Sequence, residues 1–373
     1  MPEHPLFADL DQAVARVRPA VTTLLHEIHA YAEPAFAEHR SAAACRVVLS
    51  DNGFDVTGVE GLPTAFVARR GAGALRVAVC LEYDALPIGH ACGHNLIAAV
   101  GAITAVALGE VADRAGLQVT AVGCPAEESG GGKALLLEAG VFDGIDLAVM
   151  AHPGDHDSAW FDSWALSTLE VVFDGEASHA VREAHVASQP RDALVLAETA
   201  LGLMRGHLPP DCAVVAAPTG DLGTPGAVPS HTRLALEVRA PDAELLRAVR
   251  ERVERACTGV AAAASCTATI TAVDPDYLDF RTDPELARLY ADTARDLGRD
   301  VGPGRGRFAM TDMGNVSHAV RAIHPMFDIT GGACAPHEPE FADHARSPRA
   351  QDAAVTIATA LARTVLLVGN PVG

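Results

Sequence analysis

Residues 75–95, LRVAVCLEYDALPIGHACGHN, run from an apolar strand-like segment directly into two carboxylates, two histidines and a cysteine. Three explanations compete for the end of this stretch: a redox cysteine, a structural crossing, or a metal cage. Cys92 and His94 stand two residues apart with Gly93 between them. That spacing lets a thiolate and an imidazole face one ion from a single turn, because glycine admits the dihedrals the turn demands. A cysteine near a histidine is, by itself, commoner in core packing than in a site. Redox use lacks a nearby resolving cysteine. The eight cysteines (Cys45, Cys80, Cys92, Cys124, Cys212, Cys257, Cys266 and Cys334) are scattered without a CxxC pair, in a chain large enough to need no disulfides.

The same pattern of an apolar run ending in polar groups recurs. LQVTAVGCP (117–125) leads to Glu127 and Glu128, DLAVMA (146–151) to His152, and HPMFDIT (324–330) to GGACAPHEPEF with His337. Four strands of one helix-covered sheet are expected, delivering their loops to the carboxyl edge, where sites of open α/β sheets assemble. Adjacent carboxylates in a dry crevice need a cation, or one of them takes up a proton. The plain alternative is an acidic helix start. His152 and His337 taken singly read as ordinary structural or surface histidines. Together Cys92, His94, one of the pair Glu127 and Glu128, His152 and His337 offer five donors, which point to a cage. A mixed thiolate, imidazole and carboxylate set suits zinc, manganese, cobalt or nickel better than calcium or magnesium. Five donors exceed the needs of one tetrahedral ion, so a pair of ions sharing the cysteine is expected. One glutamate would then ligate while the other accepts a proton from water.

The chain has 373 residues and is 49% apolar, enough for two domains at roughly 100–200 residues each. With 28 basic against 48 acidic residues the formal charge is −20, which opposes nucleic-acid binding, and no Lys/Arg cluster offsets it. The first residues lack a basic segment followed by an apolar core and a cleavage site, so a cytoplasmic protein is expected. The longest apolar helical run, 96–108, falls short of the ~20 residues that cross a membrane and is read as a helix buried in protein. From residue 163 the pattern becomes strand, helix, strand, helix, strand, an inserted α+β block. Helical patterns PELARLYADTARDLG and SPRAQDAAVTIATALARTVLLV then return to the first domain. The expected architecture is α/β: a discontinuous main domain at 1–164 and 278–373, with a smaller α+β domain inserted at 165–277.

In this order the segments HACGH, PAEESGGG, AHPG and APHEPEF resemble the dinuclear-metal peptidases and amidohydrolases that include aminoacylase, carboxypeptidase G and the indole-acetyl-amino-acid hydrolases. The likeness is strongest to the aminobenzoyl-glutamate hydrolase branch, and it covers nearly the whole chain. It includes the opening LHEIHAYAEPAFAEHRSA, although Glu33-Pro34 inverts the usual order. The resemblance implies Cys92 as a bridging thiolate, His94, Glu128, His152 and His337 as further metal ligands, and Glu127 as general base. It places Asp84 behind a ligand, orienting it. In GEASHAVREAH, His179 matches a histidine that crosses a dimer interface and donates to the oxyanion, as suits a donor aimed at developing charge. The insert is thereby implied to be a dimerisation or lid domain, and the enzyme a homodimer with two divalent ions per chain.

Two departures fall in the half that reads the substrate. Gly226 in GDLGTPGAVP stands where relatives carry an asparagine, and VREAHVASQPRDAL differs from the usual tail. Asn95 after CGH is shared with the aminobenzoyl-glutamate branch, and in TDMGNVSH the residues Asp312 and Asn315 line a pocket or build a structural loop. The implied activity is hydrolysis of an amide bond in an N-acyl amino acid, a dipeptide-like compound or an aryl amide. Ester cleavage or deformylation at the same centre, and a non-catalytic binding role, are the alternatives.

Overall fold

The computed structural model describes residues 4–179, 181–182, 188–304 and 306–369. The chain divides into two compact units, Met1–Asp162 with Phe280–Gly373 and Ser163–Asp279. In the first, six strands form one sheet in the order Asp55–Val59, Leu62–Arg70, Leu117–Cys124, Leu75–Glu82, Leu147–Val149, Arg321–Ile323. Leu75–Glu82 lies at the centre, parallel to both neighbours, with Val77 opposite Val119 on one side and Leu147 on the other. An antiparallel hairpin, Asp55–Val59 with Leu62–Arg70, closes one edge.

The two-residue period of the central strand sorts its side chains between the faces. Val77, Val79 and Leu81 enter one apolar cluster with the helices Phe7–Tyr31, His94–Ala115, Pro284–Asp296 and Pro348–Gly369. Ala78 and Cys80 enter another with Leu136 of Gly132–Glu138 and Met313 and Val316 of Met313–Ala319. Helices therefore cover both faces of a mixed sheet. At Gly101 a β-carbon would stand 2.7 Å from Leu81 Cγ and 2.9 Å from the Cys80 carbonyl. The bare α-carbon lets His94–Ala115 lie directly on the central strand, which brings the start of the helix beside the strand's end.

That helix is longer than the apolar run in the sequence indicates. His94–Ala115 spans 22 residues, and with Pro348–Gly369 it is long and apolar enough to cross a membrane. Their most apolar windows are 94% and 67% buried in protein, so both serve here as core helices; the apolar character answers to the interior they share.

The 324–330 run does not form one strand of the main sheet. Proline lacks an N–H and interrupts a ladder, and the chain changes partner at His324-Pro325. Arg321–Ile323 pairs with Leu147–Val149, whereas Met326–Asp328 pairs in parallel with His152–Gly154 in a separate two-stranded ladder. The Pro325 carbonyl still accepts from the His152 N–H at 2.9 Å.

The second unit is a four-stranded antiparallel sheet in the order Ala213–Thr219, His231–Ala240, Ala165–Asp174, Thr267–Ala272. Helices Pro190–Met204 and Ala243–Ala263 pack on it around Leu169, Val171, Leu194, Leu236 and Val253. Asp242 caps the latter, accepting from the Leu245 N–H at 2.8 Å. The strand Ala213–Thr219 is not expected from the sequence: only Val214 is buried in it, and Pro218 suits the edge it occupies. Ala180 and residues 183–187, within GEASHAVREAHVASQ, lie outside the described residues.

Candidate metal centre

Parallel strands that end side by side present their following loops together. Beyond Leu75–Glu82 the chain makes the HACGH turn, and the helix begins at His94 with Gly93 as its left-handed cap, φ 80°. A β-carbon at Gly93 would stand 2.6 Å from Pro153 Cγ and 3.2 Å from the Phe341 ring. The turn thus needs glycine for its dihedral and for its close approach to the AHPG segment. Gly93→Ala is expected to cost about 1–3 kcal/mol, read as a lower midpoint of denaturation together with weaker metal retention.

The turn directs Cys92 and His94 toward groups from the neighbouring strands. Cys92 Sγ lies 3.4 Å from His152 Nε2. His94 Nε2 lies 3.6 Å from Glu82 Oε2, 3.7 Å from Glu127 Oε2 and 3.7 Å from Glu128 Oε1. Glu128 Oε2 lies 3.7 Å from His337 Nε2. Most of these separations exceed hydrogen-bond lengths. Metal–ligand bonds of ~2.0–2.3 Å to a tetrahedral ion leave neighbouring donor atoms about 3.3–3.7 Å apart. Among the described residues three groups have donor atoms all within 4.8 Å of one another: Cys92 with His94 and His152, Cys92 with Glu128 and His337, and Glu82 with His94 and Glu127. Cys92 belongs to two of them.

The orientation of each imidazole follows from its other nitrogen. His94 donates Nδ1–H to Asp84 Oδ1 at 2.8 Å, and His152 donates Nδ1–H to the Pro153 carbonyl at 2.7 Å. Both Nε2 lone pairs then face the chamber. Asp84 Oδ2 accepts from the Glu128 N–H at 3.0 Å, so one carboxylate ties the HACGH turn to the glutamate loop. Glu82 Oε2, His94 Nε2 and Glu128 Oε1 are buried without a hydrogen-bond partner among the described residues. Unpaired buried polar atoms are costly, and two carboxylate oxygens turned toward one imidazole nitrogen fit a bound cation.

The electrostatics agree. Burial pushes the Cys92 thiol well above its ordinary range. Burial and then Glu82 push the Glu127 carboxyl well above its own. Burial opposes a charge on His94, yet Asp84 and Cys92 raise its proton affinity well above the usual value. Burial, with His94 beside it, lowers His152 to about 4. A chamber that draws protons onto an acid and an imidazole lacks positive charge, which divalent ions supply.

The loops are pinned from outside the cage. Glu38, fully buried, accepts from the N–H groups of Phe36 and Ala126 at 2.9 and 2.8 Å, and Ala126 holds φ 57° just before Glu127. Glu33 accepts from the N–H groups of Arg40 and Ser41 at the start of the helix His39–Asp51. His337, at φ 74°, donates its N–H to the Ala91 carbonyl at 2.8 Å, and its side chain is 59% exposed. A buried Lys133 donates to Glu82 Oε1 and to Asp312 Oδ1.

Residues 83–366 match peptidase family M20/M25/M40. The chain belongs to that family. The Xaa-Arg dipeptidase of Mus musculus is 36% identical over 322 residues, 82% of this chain and 74% of that protein. A p-aminobenzoyl-glutamate hydrolase chain of Escherichia coli strain K12 is 29% identical over 280 residues, 69% of this chain and 58% of that protein. A crystal structure from Bacillus subtilis, a dinuclear metal binding peptidase of family M20, shares the fold with TM-score 0.69 at 20% identity, over 94% of this chain and 99% of that one. Membership of M20/M25/M40 makes this chain a metal-dependent hydrolase of amide bonds.

The M20/M25/M40 match contains Cys92, His94, Glu127, Glu128, His152 and His337, and starts one residue after Glu82. Glu33, Glu38 and Glu82 lie outside it, and of these Glu38 and Glu82, with Lys133, escape a reading of the sequence; a lone charge closing a buried apolar strand is the available signal for Glu82. His90 of the same stretch faces the interior, its Nε2 3.0 Å from the Ile28 carbonyl. Asn95 also points inward, donating to the Ala345 and Leu25 carbonyls at 3.0 and 3.4 Å. Asp312 is fully buried against Lys133, and Asn315 is half-buried on the Met313–Ala319 helix. His179 sits in the second unit, exposed, on a two-residue strand where it pairs with Ala227, the neighbour of Gly226. Its Nδ1 accepts from the N–H groups of Val181 and Arg182 at 3.2 and 3.3 Å.

Proposed function

We propose that the centre holds two divalent ions, zinc, manganese, cobalt or nickel, and cleaves the amide bond of an N-acyl amino acid, a dipeptide-like compound or an aryl amide. The observation that carries this is the double membership of Cys92, whose sulfur shares one donor group with His94 and His152 and the other with Glu128 and His337. When bound, the ions supply Lewis acidity that activates a water and polarises the scissile carbonyl. Glu127, beside the ligands and not in either thiolate group, takes the proton from water and passes it to the departing amine. Asp84 holds His94 in the tautomer that ligates.

His179 is assigned the oxyanion donor. Because its Nδ1 accepts from backbone, its proton resides on Nε2, the nitrogen that would donate to developing negative charge. By the resemblance it serves the site of a second copy, and the proposed assembly is a homodimer through the inserted unit. Exposed Val215 on the edge strand and Val195 and Leu203 on the neighbouring helix support that surface. If His179 acts across subunits, mixing His179→Ala with Glu127→Gln protein should recover part of the wild-type rate through hybrids holding one intact site. No recovery after proven exchange would place His179 elsewhere.

Gly226 leaves open space around its α-carbon, beside the strand that pairs with His179, which favours a specificity shifted from the relatives. The eight free cysteines fit the reducing cytoplasm. The deciding experiment is amine release from a panel including Xaa-Arg dipeptides, p-aminobenzoyl-glutamate and N-acyl amino acids, with chelated protein resupplied with each metal in turn. Release from at least one amide, dependent on a divalent ion, is the expected result. Full metal content with hydrolysis of esters or formyl groups alone would favour the other hydrolytic reading.

A further inference from the structure

Three fully buried charged side chains stand beside the cage: Glu82, Lys133 and Asp312. Lys133 Nζ donates to Glu82 Oε1 and, at 2.5 Å, to Asp312 Oδ1, while the Lys133 N–H donates to Asp312 Oδ2 at 2.7 Å. Burying an ammonium with two carboxylates is expensive, and a purely structural cluster would be expected to satisfy every oxygen. Glu82 does not. Its Oε2 is buried, has no hydrogen-bond partner among the described residues, and lies 3.6 Å from His94 Nε2, itself buried and unpartnered. With Nδ1–H given to Asp84, His94 turns Nε2 toward that oxygen. The two atoms call for positive charge between them; the separation is too long for the direct hydrogen bond a proton on the imidazole would make, while a metal ion bound to both donors fits it.

We infer that Glu82 is a sixth side chain of the metal centre, supplying a carboxylate oxygen on the His94 side, with Lys133 and Asp312 as its positioning pair. The inference rests on the two-ion reading above. Lys133 locks one oxygen of Glu82 and thereby aims the other into the chamber. One negative charge remains after the ammonium is counted against two carboxylates, which complements an ion bound at His94. Glu82 sits on the last residue of the central strand, which is paired on both sides, and Lys133 reaches it from the Gly132–Glu138 helix that follows the glutamate loop.

The test uses metal-free wild type, Glu82→Gln, Glu128→Gln and Lys133→Met, each titrated calorimetrically with cobalt and followed by visible absorption. Wild type should take up two ions per chain. Glu82→Gln keeps the shape and an acceptor for Lys133, and should weaken one ion by more than the ~10–100-fold that loss of a group behind a ligand costs, with an altered cobalt band and the second ion unchanged. Glu128→Gln should weaken the other ion, and Lys133→Met should reproduce the Glu82→Gln pattern. If Glu82→Gln melts as wild type without metal yet binds both ions with wild-type affinity and spectrum, the inference is overturned. If that variant does not fold, Glu82→Asp carries the same comparison, since a shorter carboxylate that leaves both affinities and the spectrum untouched overturns it equally. Wild type binding no cobalt would instead refute the metal centre itself.

Discussion

Glu127→Gln should bind its ions as wild type does and turn over about 10²–10⁴-fold more slowly, the usual contribution of a positioned general base. Glu127 is buried, its Oε2 stands 3.7 Å from His94 Nε2, and it shares no donor group with Cys92. Glutamine keeps the volume and one carbonyl oxygen, so packing and metal content should survive. It cannot accept a proton from water at neutral pH. Steady-state amine release and metal analysis on one preparation provide the check. Near-normal turnover with full metal would remove Glu127 from the mechanism.

Cys92→Ala should have an effect of another kind, emptying the centre rather than slowing it. The sulfur is the donor common to two groups, so in the proposed two-ion centre its removal would take a ligand from each ion at once. Loss of a direct ligand should exceed the ~10–100-fold weakening caused by losing a group behind one. Metal content after gel filtration should fall below one ion per chain, with activity lost in proportion. Cys92 takes no part in the main sheet, so the metal-free variant should melt close to the metal-free wild type. Two ions retained by the alanine variant would refute a shared thiolate.

Much of the frame is readable in the amino-acid order because short-range physics dictates it. Alternating valines fix Leu75–Glu82 as a buried strand, and small residues at Gly101 and Gly93 permit the helix and turn that follow. The helices at both faces of the sheet follow from the same periodicity. What escapes depends on partners distant along the chain. Glu82 acquires its neighbour 51 positions later in Lys133, and Glu38 pins Ala126 across 88 positions. A lone buried charge at a strand end looks like the strand's exit into solvent until its partner is known. The edge strand Ala213–Thr219 escapes because it buries one side chain only, leaving no alternation to detect. The 324–330 run misleads because a proline transfers the chain between two ladders while leaving its hydropathy unchanged.

The first unit is built from two stretches of chain separated by residues 163–279. On the ribosome, Cys92, His94, Glu128 and His152 emerge well before His337, and Arg321–Ile323, which completes the sheet edge beside Leu147–Val149, emerges later still than the insert. A nascent chain halted before that point carries the thiol and the acids but lacks both that strand and His337, so the donor group of Cys92, Glu128 and His337 can form only after the insert has emerged.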